Sequence, residues 1–259
     1  MKMRKKCQYF FRIYCFFLHF FVKQTKRKEF AMKIGIIGAM SVEIEYLKEI
    51  LTGIEAVKKG GLVFYTGTIR GKDAVIVQSG VGKVNAAMCT TLLIECFGVT
   101  HVINTGVAGG LKEGLHVFDV VVSSCCIHHD VDATGFGYKP CEVPGLKTVD
   151  FKADAFLIET AKRAWKECAF SSSLLEGRIA SGDVFVNSAQ RKKEIRSLCD
   201  AACVEMEGAS IAQVCFLTGI PFVVIRCISD MAENTEEVYE EKKAAKISSV
   251  LVANIFGLL

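Results

Sequence analysis

The chain has 259 residues, 51% of them hydrophobic, which is long enough to bury a full core in one large α/β domain or in two smaller ones. Three prolines and no low-complexity linker favour one domain. The formal net charge is +4, but residues 1–31 hold nine of the 32 lysines and arginines and one acid, so 32–259 retains 23 basic and 27 acidic residues. A mildly acidic body excludes the basic surface of a nucleic-acid-binding protein, and no nucleic-acid partner is predicted.

The N-terminal segment, residues 1–31, is basic and carries many aromatic residues between Tyr9 and Val22. It imitates a signal peptide, but Arg12 and His19 interrupt the apolar stretch and no small-residue cleavage site follows. The stretch is also shorter than the roughly 20 apolar residues that span a bilayer. We therefore expect an extension outside the fold, with translation starting at Met32, rather than a membrane anchor.

The twelve cysteines are scattered and form no CxxC pair. Several fall inside apolar patterns, where a free cysteine behaves as a small hydrophobe. Cys199 and Cys203 are four residues apart, but no nearby histidine completes a zinc set. The pattern indicates free thiols in a reducing cytoplasm.

The first half of the chain alternates strand and helix patterns separated by glycine-rich turns. The first turn lacks the third glycine of a dinucleotide fingerprint, and the turn Ser79–Asn85 lacks the spacing of a Walker loop, although its backbone could bind ribose hydroxyls or an anion. An irregular loop from Ala133 to Pro144 exposes Phe136 and Tyr138, which is typical of a lid or an interface. The predicted elements are strand Lys33–Gly38, helix Ser41–Leu51, the hairpin of Val63–Ile69 with Ala74–Gln78, helix Ala86–Phe97, and strands Val99–Asn104 and Val117–Ile127.

The second half continues the alternation and ends in a helix. Strands interleaved with helices predict a three-layer α/β/α sandwich with a central twisted mixed β-sheet, formed by residues 32–259 as a single domain. The predicted elements are helix Asp154–Cys168, strand Arg178–Val186, a charged helix from Asn187 to Leu198, two apolar runs of strand length within Cys203–Asp230 with a helix between them, and helix Glu236–Phe256.

Two carboxylates, Glu207 and Asp230, follow the two apolar runs of Cys203–Asp230. Open α/β sheets bind ligands at the carboxyl ends of their strands, so these side chains are candidates for holding a small polar substrate. Glu43 falls in the first turn of the first helix, near the same edge. Each acid also has an ordinary structural alternative, as a helix N-cap or as an acid favoured by the helix dipole.

The sequence His128-His-Asp-Val-Asp132 brings two histidines and two aspartates close together along the chain. Neighbouring residues on a strand point to opposite faces, so one ion would be poorly coordinated there. No metal site is predicted.

Seven short motifs occur in order after Met32: Ile36-Ile-Gly-Ala-Met40 with Glu43, Ser79-Gly-Val-Gly-Lys83, Asn104-Thr-Gly-Val-Ala-Gly-Gly110, Phe136-Gly-Tyr138, Ser181-Gly-Asp-Val-Phe185, Val204-Glu-Met-Glu-Gly208 and Arg226-Cys-Ile-Ser-Asp230. With these motifs in register, residues 32–259 resemble the nucleoside phosphorylase and nucleosidase superfamily, and within it the methylthioadenosine/S-adenosylhomocysteine nucleosidases. The resemblance implies a phosphorylase/hydrolase-like fold and hydrolysis of an N-glycosidic bond.

The resemblance also implies a role for each matching residue. Asp230 would protonate N7 of adenine, Glu207 would hold the ribose 2′ and 3′ hydroxyls, and Glu43 would bind and activate the attacking water. An acid on the leaving base and a carboxylate near the positive sugar are what an oxocarbenium-like transition state requires. The other implied residues are Ser229, which orients Asp230, Arg226 and Ser79 around the water, Phe185 stacked on adenine, and the substrate-binding positions Ala39, Met40, Gly109, Val186, Met206 and Tyr239.

The resemblance further implies a homodimer. Phe136, Tyr138 and Pro144 match loop residues that close over the 5′-alkylthio group of the partner subunit's ligand. The implied substrate is a small nucleoside, and no cofactor, metal or membrane partner is implied.

The choice between water and phosphate rests on a missing arginine. Phosphorylases of this superfamily carry an arginine in the turn where this chain has Asn104, and the turn Gly38-Ala-Met-Ser has no arginine either. A phosphate without guanidinium partners would be poorly compensated, so hydrolysis through Glu43 is predicted. A phosphate-dependent purine nucleoside phosphorylase is the alternative enzyme, and a surface-anchored binding protein that uses residues 1–31 is the alternative from another class.

The sequence departs from the family pattern in two places. Ser41 and Val42 stand where relatives often carry further acids just before Glu43. The segment Asn234–Tyr239 is shorter than in relatives, which usually carry an aromatic residue at the start of the last helix. Tyr239 is assigned to that aromatic position across the shortened segment.

Overall fold

The apolar run Lys33–Gly38 forms strand β1, which lies inside the sheet with a parallel strand on each side. Its last five residues are buried, as expected for a strand covered on both faces. The structure, a computed structural model, describes residues 32–233 and 239–259, and the N-terminal segment lies outside these ranges.

Ten strands form one mixed sheet in the described ranges. The strands are β1 Lys33–Gly38, β2 Thr52–Lys59, β3 Leu62–Ile69, β4 Lys72–Gln78, β5 His101–Gly110, β6 Val120–His128, β7 Phe151–Lys152, β8 Leu174–Ser181, β9 Cys203–Glu205 and β10 Phe222–Asp230. The helices are α1 Ser41–Glu49, α2 Lys83–Phe97, α3 Ala155–Lys166, α4 Ala189–Cys199, α5 Gly208–Thr218 and α6 Glu241–Ile255, and a 3₁₀ turn covers Thr134–Phe136.

The strand order is β10-β6-β8-β9-β5-β1-β4-β3-β2, with the short β7 paired to β6 outside this order, and β10 also pairs with β5. Because of this second pairing, β5, β10, β6, β8 and β9 close into a ring, while β1 to β4 extend from it as an open sheet. The ring brings the ends of β5, β9 and β10 together at one edge.

Helices cover both faces of the sheet. On one face α1, α3 and α6 pack on β1 and β10 through residues such as Leu47, Leu157 and Leu251. On the other face α2 and α5 pack through Leu93 and Ile211. The predicted α/β/α sandwich with a mixed sheet is therefore confirmed.

Three strand boundaries differ from the sequence prediction. β5 does not stop at Asn104 but continues to Gly110 through the glycine-rich motif. β6 begins at Val120 rather than Val117, because Phe118 has a left-handed backbone with φ of 78°. β8 runs from Leu174 to Ser181, so the prediction of a strand from Arg178 to Val186 is wrong at both ends.

Strand β2 was not predicted. Seven of its eight residues are exposed and it lies at the edge of the sheet, so it lacks the apolar alternation that marks a half-buried strand.

Several other elements agree with the prediction. They are the hairpin of β3 and β4, the helix α3 with Asp154 as its N-cap, and the charged helix α4. The predicted start of the last helix at Glu236 lies outside the described residues. No helix within the described ranges has the length and apolarity needed to cross a membrane.

Candidate active site

A cavity of about 190 Å³ opens at the edge where β5, β9 and β10 end and α1 begins. Of the sixteen predicted site residues, eleven line it: Ala39, Met40, Glu43, Gly109, Phe185, Met206, Glu207, Arg226, Ser229, Asp230 and Tyr239. It is also lined by Val81, Val107, Ala108, Val204 and Glu205, which were not predicted. Residues from distant parts of the sequence thus share one cavity, as the resemblance implies.

Glu43 lies in the first turn of α1 and is fully buried. One carboxylate oxygen accepts N–H groups of Ala39 at 2.7 Å and Met40 at 3.0 Å, and the other accepts the N–H of Val107 at 3.0 Å. Burial raises the pKa of Glu43, while Arg226 and these N–H groups oppose the rise. Glu43 is therefore rigidly held and more basic than an exposed carboxylate.

Gly106 explains why β5 needs its glycine-rich motif. A Cβ at this position would lie 2.3 Å from both the Arg226 guanidinium and the Glu43 carboxylate. Glycine lets the strand pass directly against the ion pair between these side chains, whose closest atoms are 3.8 Å apart.

Glu207 is the N-cap residue of α5. Its Oε1 accepts the N–H of Gly82 at 2.8 Å, from the glycine-rich turn before α2, and its Oε2 lies 3.5 Å from Arg226. Burial, and next the negative charge of Glu205, raise the pKa of Glu207 to about 7, against the opposing effect of Arg226. This carboxylate can therefore gain or lose a proton near neutral pH.

Asp230 ends β10, and its two oxygens are fixed separately. Oδ2 accepts the hydroxyl of Ser229 at 2.8 Å, and Oδ1 accepts the N–H of Ala232 at 2.9 Å. Ala232 has a left-handed backbone with φ of 55°, a conformation that costs about 1 kcal/mol for a residue with a Cβ. The turn after β10 thus holds the carboxylate in one orientation toward the cavity.

Arg226 is the largest fully buried side chain of the described residues. Its Nη2 forms an ion pair with Glu205 and a hydrogen bond of 2.6 Å with Asn104, and its Nη1 lies 3.4 Å from the carbonyl oxygen of Val107. One guanidinium thus faces three glutamates, Glu43, Glu205 and Glu207. The cavity is consequently acidic.

Glu205 is the functional residue that the sequence reasoning missed. It lies at the end of β9, two residues before Glu207, and is 8% exposed. An acid inside an otherwise apolar and buried strand was the available signal, because an ionised carboxylate is rarely buried without a partner.

Phe185 and Tyr239 form the outer wall of the cavity. Their rings meet edge to face with centroids 6.5 Å apart, and they are 60% and 43% exposed. Phe185 lies in the segment that follows β8 rather than on a strand. Two partly exposed rings at the mouth can accept the flat face of a heterocycle.

Five predicted residues do not line the cavity in this chain. Ser79 is buried and its hydroxyl donates to the carbonyl oxygen of Gly80 at 2.8 Å. Val186 packs in a separate apolar cluster. The other three lie on the surface loop, where Phe136 is 88% exposed, Pro144 is exposed and Tyr138 is half-buried.

The two histidines of the segment His128–Asp132 differ in their contacts, and both ring nitrogens of His129 are buried without a hydrogen-bond partner among the described residues. His128 Nε2 shares a hydrogen bond of 2.9 Å with Gln213, whereas the His129 ring lies where a Cβ of Gly182 would be. Across residues 32–233 and 239–259, no group of three or more histidines, cysteines or acids is arranged to hold a metal ion.

Residues 33–256 match the family model of the phosphorylase superfamily. The curated 5′-methylthioadenosine/S-adenosylhomocysteine nucleosidase of Shewanella denitrificans is 48% identical over 209 residues, covering 80% of this chain and 90% of that protein. The crystal structure of the Neisseria meningitidis nucleosidase of the same name, in complex with methylthio-immucillin-A, has a TM-score of 0.84 and 43% identity, covering 88% and 99% of the two chains. That of the Colwellia psychrerythraea nucleosidase, in complex with adenine, has a TM-score of 0.85 and 41% identity, covering 89% and 96%.

Proposed function

The chain belongs to the phosphorylase superfamily and, within it, to the 5′-methylthioadenosine/S-adenosylhomocysteine nucleosidases, and from this premise we propose how its residues hydrolyse the N-glycosidic bond. Water and the nucleoside give adenine together with 5-methylthioribose or S-ribosylhomocysteine, a step of methionine salvage and nucleoside catabolism. The observation that carries the assignment of roles is the convergence of Glu43, Glu207 and Asp230 on one cavity.

Asp230 is the proton donor to the leaving base. Its oxygens are oriented by Ser229 and Ala232, which fixes the direction from which adenine N7 is approached. A protonated base leaves as neutral adenine, which lowers the barrier to breaking the C1′–N9 bond. Phe185, at the mouth, supplies a ring face for the base.

Glu207 holds the sugar. Its only protein donors in the described residues are Gly82 at 2.8 Å and the distant Arg226 at 3.5 Å, so it keeps acceptor positions free for the ribose 2′ and 3′ hydroxyls. Its negative charge beside the ring also favours the positive charge that develops on the sugar in the transition state.

Glu43 binds and activates the water that attacks C1′. Its raised pKa suits a general base, because a stronger base removes a proton from water more effectively. The acidic cavity supports water rather than phosphate as the nucleophile. Arg226, the one arginine among the described lining residues, is already paired with glutamates, and a phosphate anion would be repelled by them.

The test is release of adenine from methylthioadenosine in phosphate-free buffer, followed together with the reducing sugar. We expect the same rate with and without added phosphate, and formation of free thioribose. Strict dependence on phosphate, with a sugar 1-phosphate as product, would instead establish the phosphorylase alternative.

Residues 32–259 are proposed to act as one catalytic domain within a homodimer, in which Phe136, Tyr138 and Pro144 of each subunit close the other subunit's site. The unusual exposure of apolar side chains supports an interface, with Phe136 at 88%, Val84 at 80% and Leu217 at 59%. A cytoplasmic location is supported by the ten cysteines of the described residues, all of which are free thiols. Cell fractionation with N-terminal sequencing separates this proposal from the surface-anchored alternative.

A further inference from the structure

We propose that Glu205 is a positioning residue that binds the Arg226 guanidinium and the backbone of Glu207, and thereby leaves the Glu207 carboxylate free to accept the ribose hydroxyls. This role rests on the proposed function, because Glu205 would position Glu207, the residue proposed to hold the ribose. It concerns a side chain that lines the cavity but has no acceptor left for substrate.

Both oxygens of Glu205 are already occupied by protein donors. Oε1 accepts the hydroxyl of Ser181 and the N–H of Gly208 at 3.0 Å. Oε2 pairs with Arg226 and accepts the N–H groups of Glu207 at 3.0 Å and Gly208 at 2.8 Å. A carboxylate so fully satisfied at a helix N-terminus fixes that terminus and has little capacity to bind a ligand.

Ser181 connects Glu205 to the first turn of α5. Its hydroxyl donates to Glu205 and accepts the N–H of Ala209 at 2.7 Å. Three successive N–H groups at the start of α5, from Glu207 to Ala209, are therefore fixed directly or indirectly by Glu205. The N-cap residue Glu207 consequently projects its side chain in a single direction.

Glu205 and Glu207 compete for the same nitrogen. Nη2 of Arg226 forms a close ion pair with Glu205, while Glu207 lies 3.5 Å away. If Glu205 lost its charge, the guanidinium would gain by closing on Glu207, since a buried charge strongly favours an ionic partner. Glu207 would then be occupied by Arg226 and unable to bind both hydroxyls.

The same substitution changes the charge that Glu207 experiences. Among the described residues, the charged groups facing Glu207 are Glu205, Arg226 and Glu43. Cys126, Cys203 and His128 face Glu205 from β6 and β9, but burial raises the pKa of the two thiols and lowers that of the imidazole, so they are neutral near pH 7. Removing the charge of Glu205 therefore lowers the pKa of Glu207, both by relieving repulsion and by releasing Arg226.

The test compares Glu205→Gln with Glu205→Asp and with the surface control Glu113→Gln, whose carboxylate pairs with Arg196 at the exterior. The readouts are the pH profile of kcat/KM and the ratio of kcat/KM for adenosine over 2′-deoxyadenosine. For Glu205→Gln we expect the acidic limb of the pH profile, which reports loss of the proton from Glu207, to move to lower pH by about one unit or more. We also expect a rise in KM of roughly ten-fold or more and a largely lost preference for the 2′-hydroxyl. Glu205→Asp keeps the negative charge and should leave the acidic limb at the wild-type pH. Glu113→Gln should leave the pH profile, KM and the hydroxyl preference unchanged.

An unchanged acidic limb together with a wild-type hydroxyl preference in folded Glu205→Gln would overturn the proposal. If that variant does not fold, Ser181→Ala decides, since it removes one donor to Glu205 and one acceptor at the start of α5 but keeps the charge of Glu205. We expect an unchanged acidic limb with a smaller rise in KM and a smaller loss of the 2′-hydroxyl preference, and a wild-type KM with a wild-type preference would overturn the proposal. The proposed function is tested separately by the unmodified enzyme in phosphate-free buffer, so its failure is not confused with failure of Glu205.

Discussion

Asn104 accepts a hydrogen bond of 2.6 Å from Nη2 of Arg226, and its own amide nitrogen donates to the carbonyl oxygen of Ile37 at 2.8 Å. Asn104, which the resemblance is expected to place where phosphorylases carry an arginine, thus uses both ends of its amide. It ties the guanidinium of β10 to the end of β1 from a buried position within β5. This link keeps Arg226 between the glutamates of the cavity.

Asn104→Leu removes both hydrogen bonds while keeping a similar volume. We expect kcat/KM to fall by about ten- to a hundred-fold, because the Arg226 guanidinium, although still paired with Glu205, loses the hydrogen bond that holds it toward β1, a loss of about 1–3 kcal/mol. The remaining activity should still be independent of phosphate. The measurement is steady-state kinetics with methylthioadenosine in phosphate-free buffer.

Asn254→Leu is the matched control, since Asn254 also uses both ends of its amide, toward Cys168 and Arg70, but lies on α6 outside the cavity. It should lower thermal stability and leave kcat/KM unchanged. Equal kinetic losses in the two variants would show that the effect of Asn104 is not specific to Arg226.

Asp230→Asn removes the proton donor and keeps the shape. The hydrogen bond from Ala232 to one oxygen can persist, so the variant should fold and bind adenine. Turnover should fall by about a thousand-fold or more, since general acid catalysis and leaving-group activation are both lost. Single-turnover kinetics measures the chemical step directly. Asp73→Asn, an exposed change on β4, is the control, and activity near the wild-type level in Asp230→Asn would contradict the assignment.

Glu207→Gln should make the protein less active and more stable at alkaline pH. The folded protein raises the pKa of Glu207 from 4.5 to about 7, so the native state binds this proton more tightly than the unfolded state. The stabilisation from that proton is complete below pH 4.5 and is lost as the pH rises through 7. Glutamine cannot lose a proton, so the variant escapes this loss.

The free energy of unfolding, from urea titrations at pH 5 and pH 8, checks the effect. The advantage of Glu207→Gln over wild type should grow by roughly 1–3 kcal/mol between these values. Glu45→Gln, an exposed change on α1, should follow wild type. Parallel pH dependence in wild type and Glu207→Gln would mean that Glu207 is not the titrating group.

Much of the fold is readable from the sequence because several strands are nearly continuous apolar runs, as in β1, which ends in glycine, and β10, which follows a proline. The closure of the ring of strands cannot be read from the sequence, because β9 has only three residues and pairs with strands from other parts of the chain. The exposed edge strand β2 gives no pattern to detect. Tertiary pairing, rather than local propensity, decides these elements.

The site residues likewise fall into those that the sequence predicts and those that it does not. Glu43, Glu207 and Asp230 follow from their places at strand and helix ends together with the family motifs, and they line one cavity. Glu205 does not follow, because its importance comes from Arg226 and Ser181, which are distant in sequence. Val186 was expected beside the substrate, yet in this chain it packs into an apolar cluster with Leu111 and Ile127.

Exchange of the surface loop between subunits can be tested with two defective chains. Asp230→Asn abolishes the proton donor of its own site, and Phe136→Ala truncates a ring that is 88% exposed in the isolated chain. Truncating such an anchor at an interface costs about 1–2 kcal/mol, so Phe136→Ala alone should lose roughly five- to thirty-fold in kcat/KM. Lys139→Ala, exposed on the same loop, should lose little.

Co-expression of the two variants with different affinity tags yields the mixed dimer after tandem purification. If the loop acts on the partner's site, one of the two sites contains both Asp230 and Phe136, and the mixed dimer should regain about half of the wild-type kcat/KM per dimer. If the loop acts within its own chain, the intact combination never forms, because the subunit with Phe136 lacks Asp230. Activity would then stay at about half that of the Phe136→Ala dimer, which contradicts loop exchange.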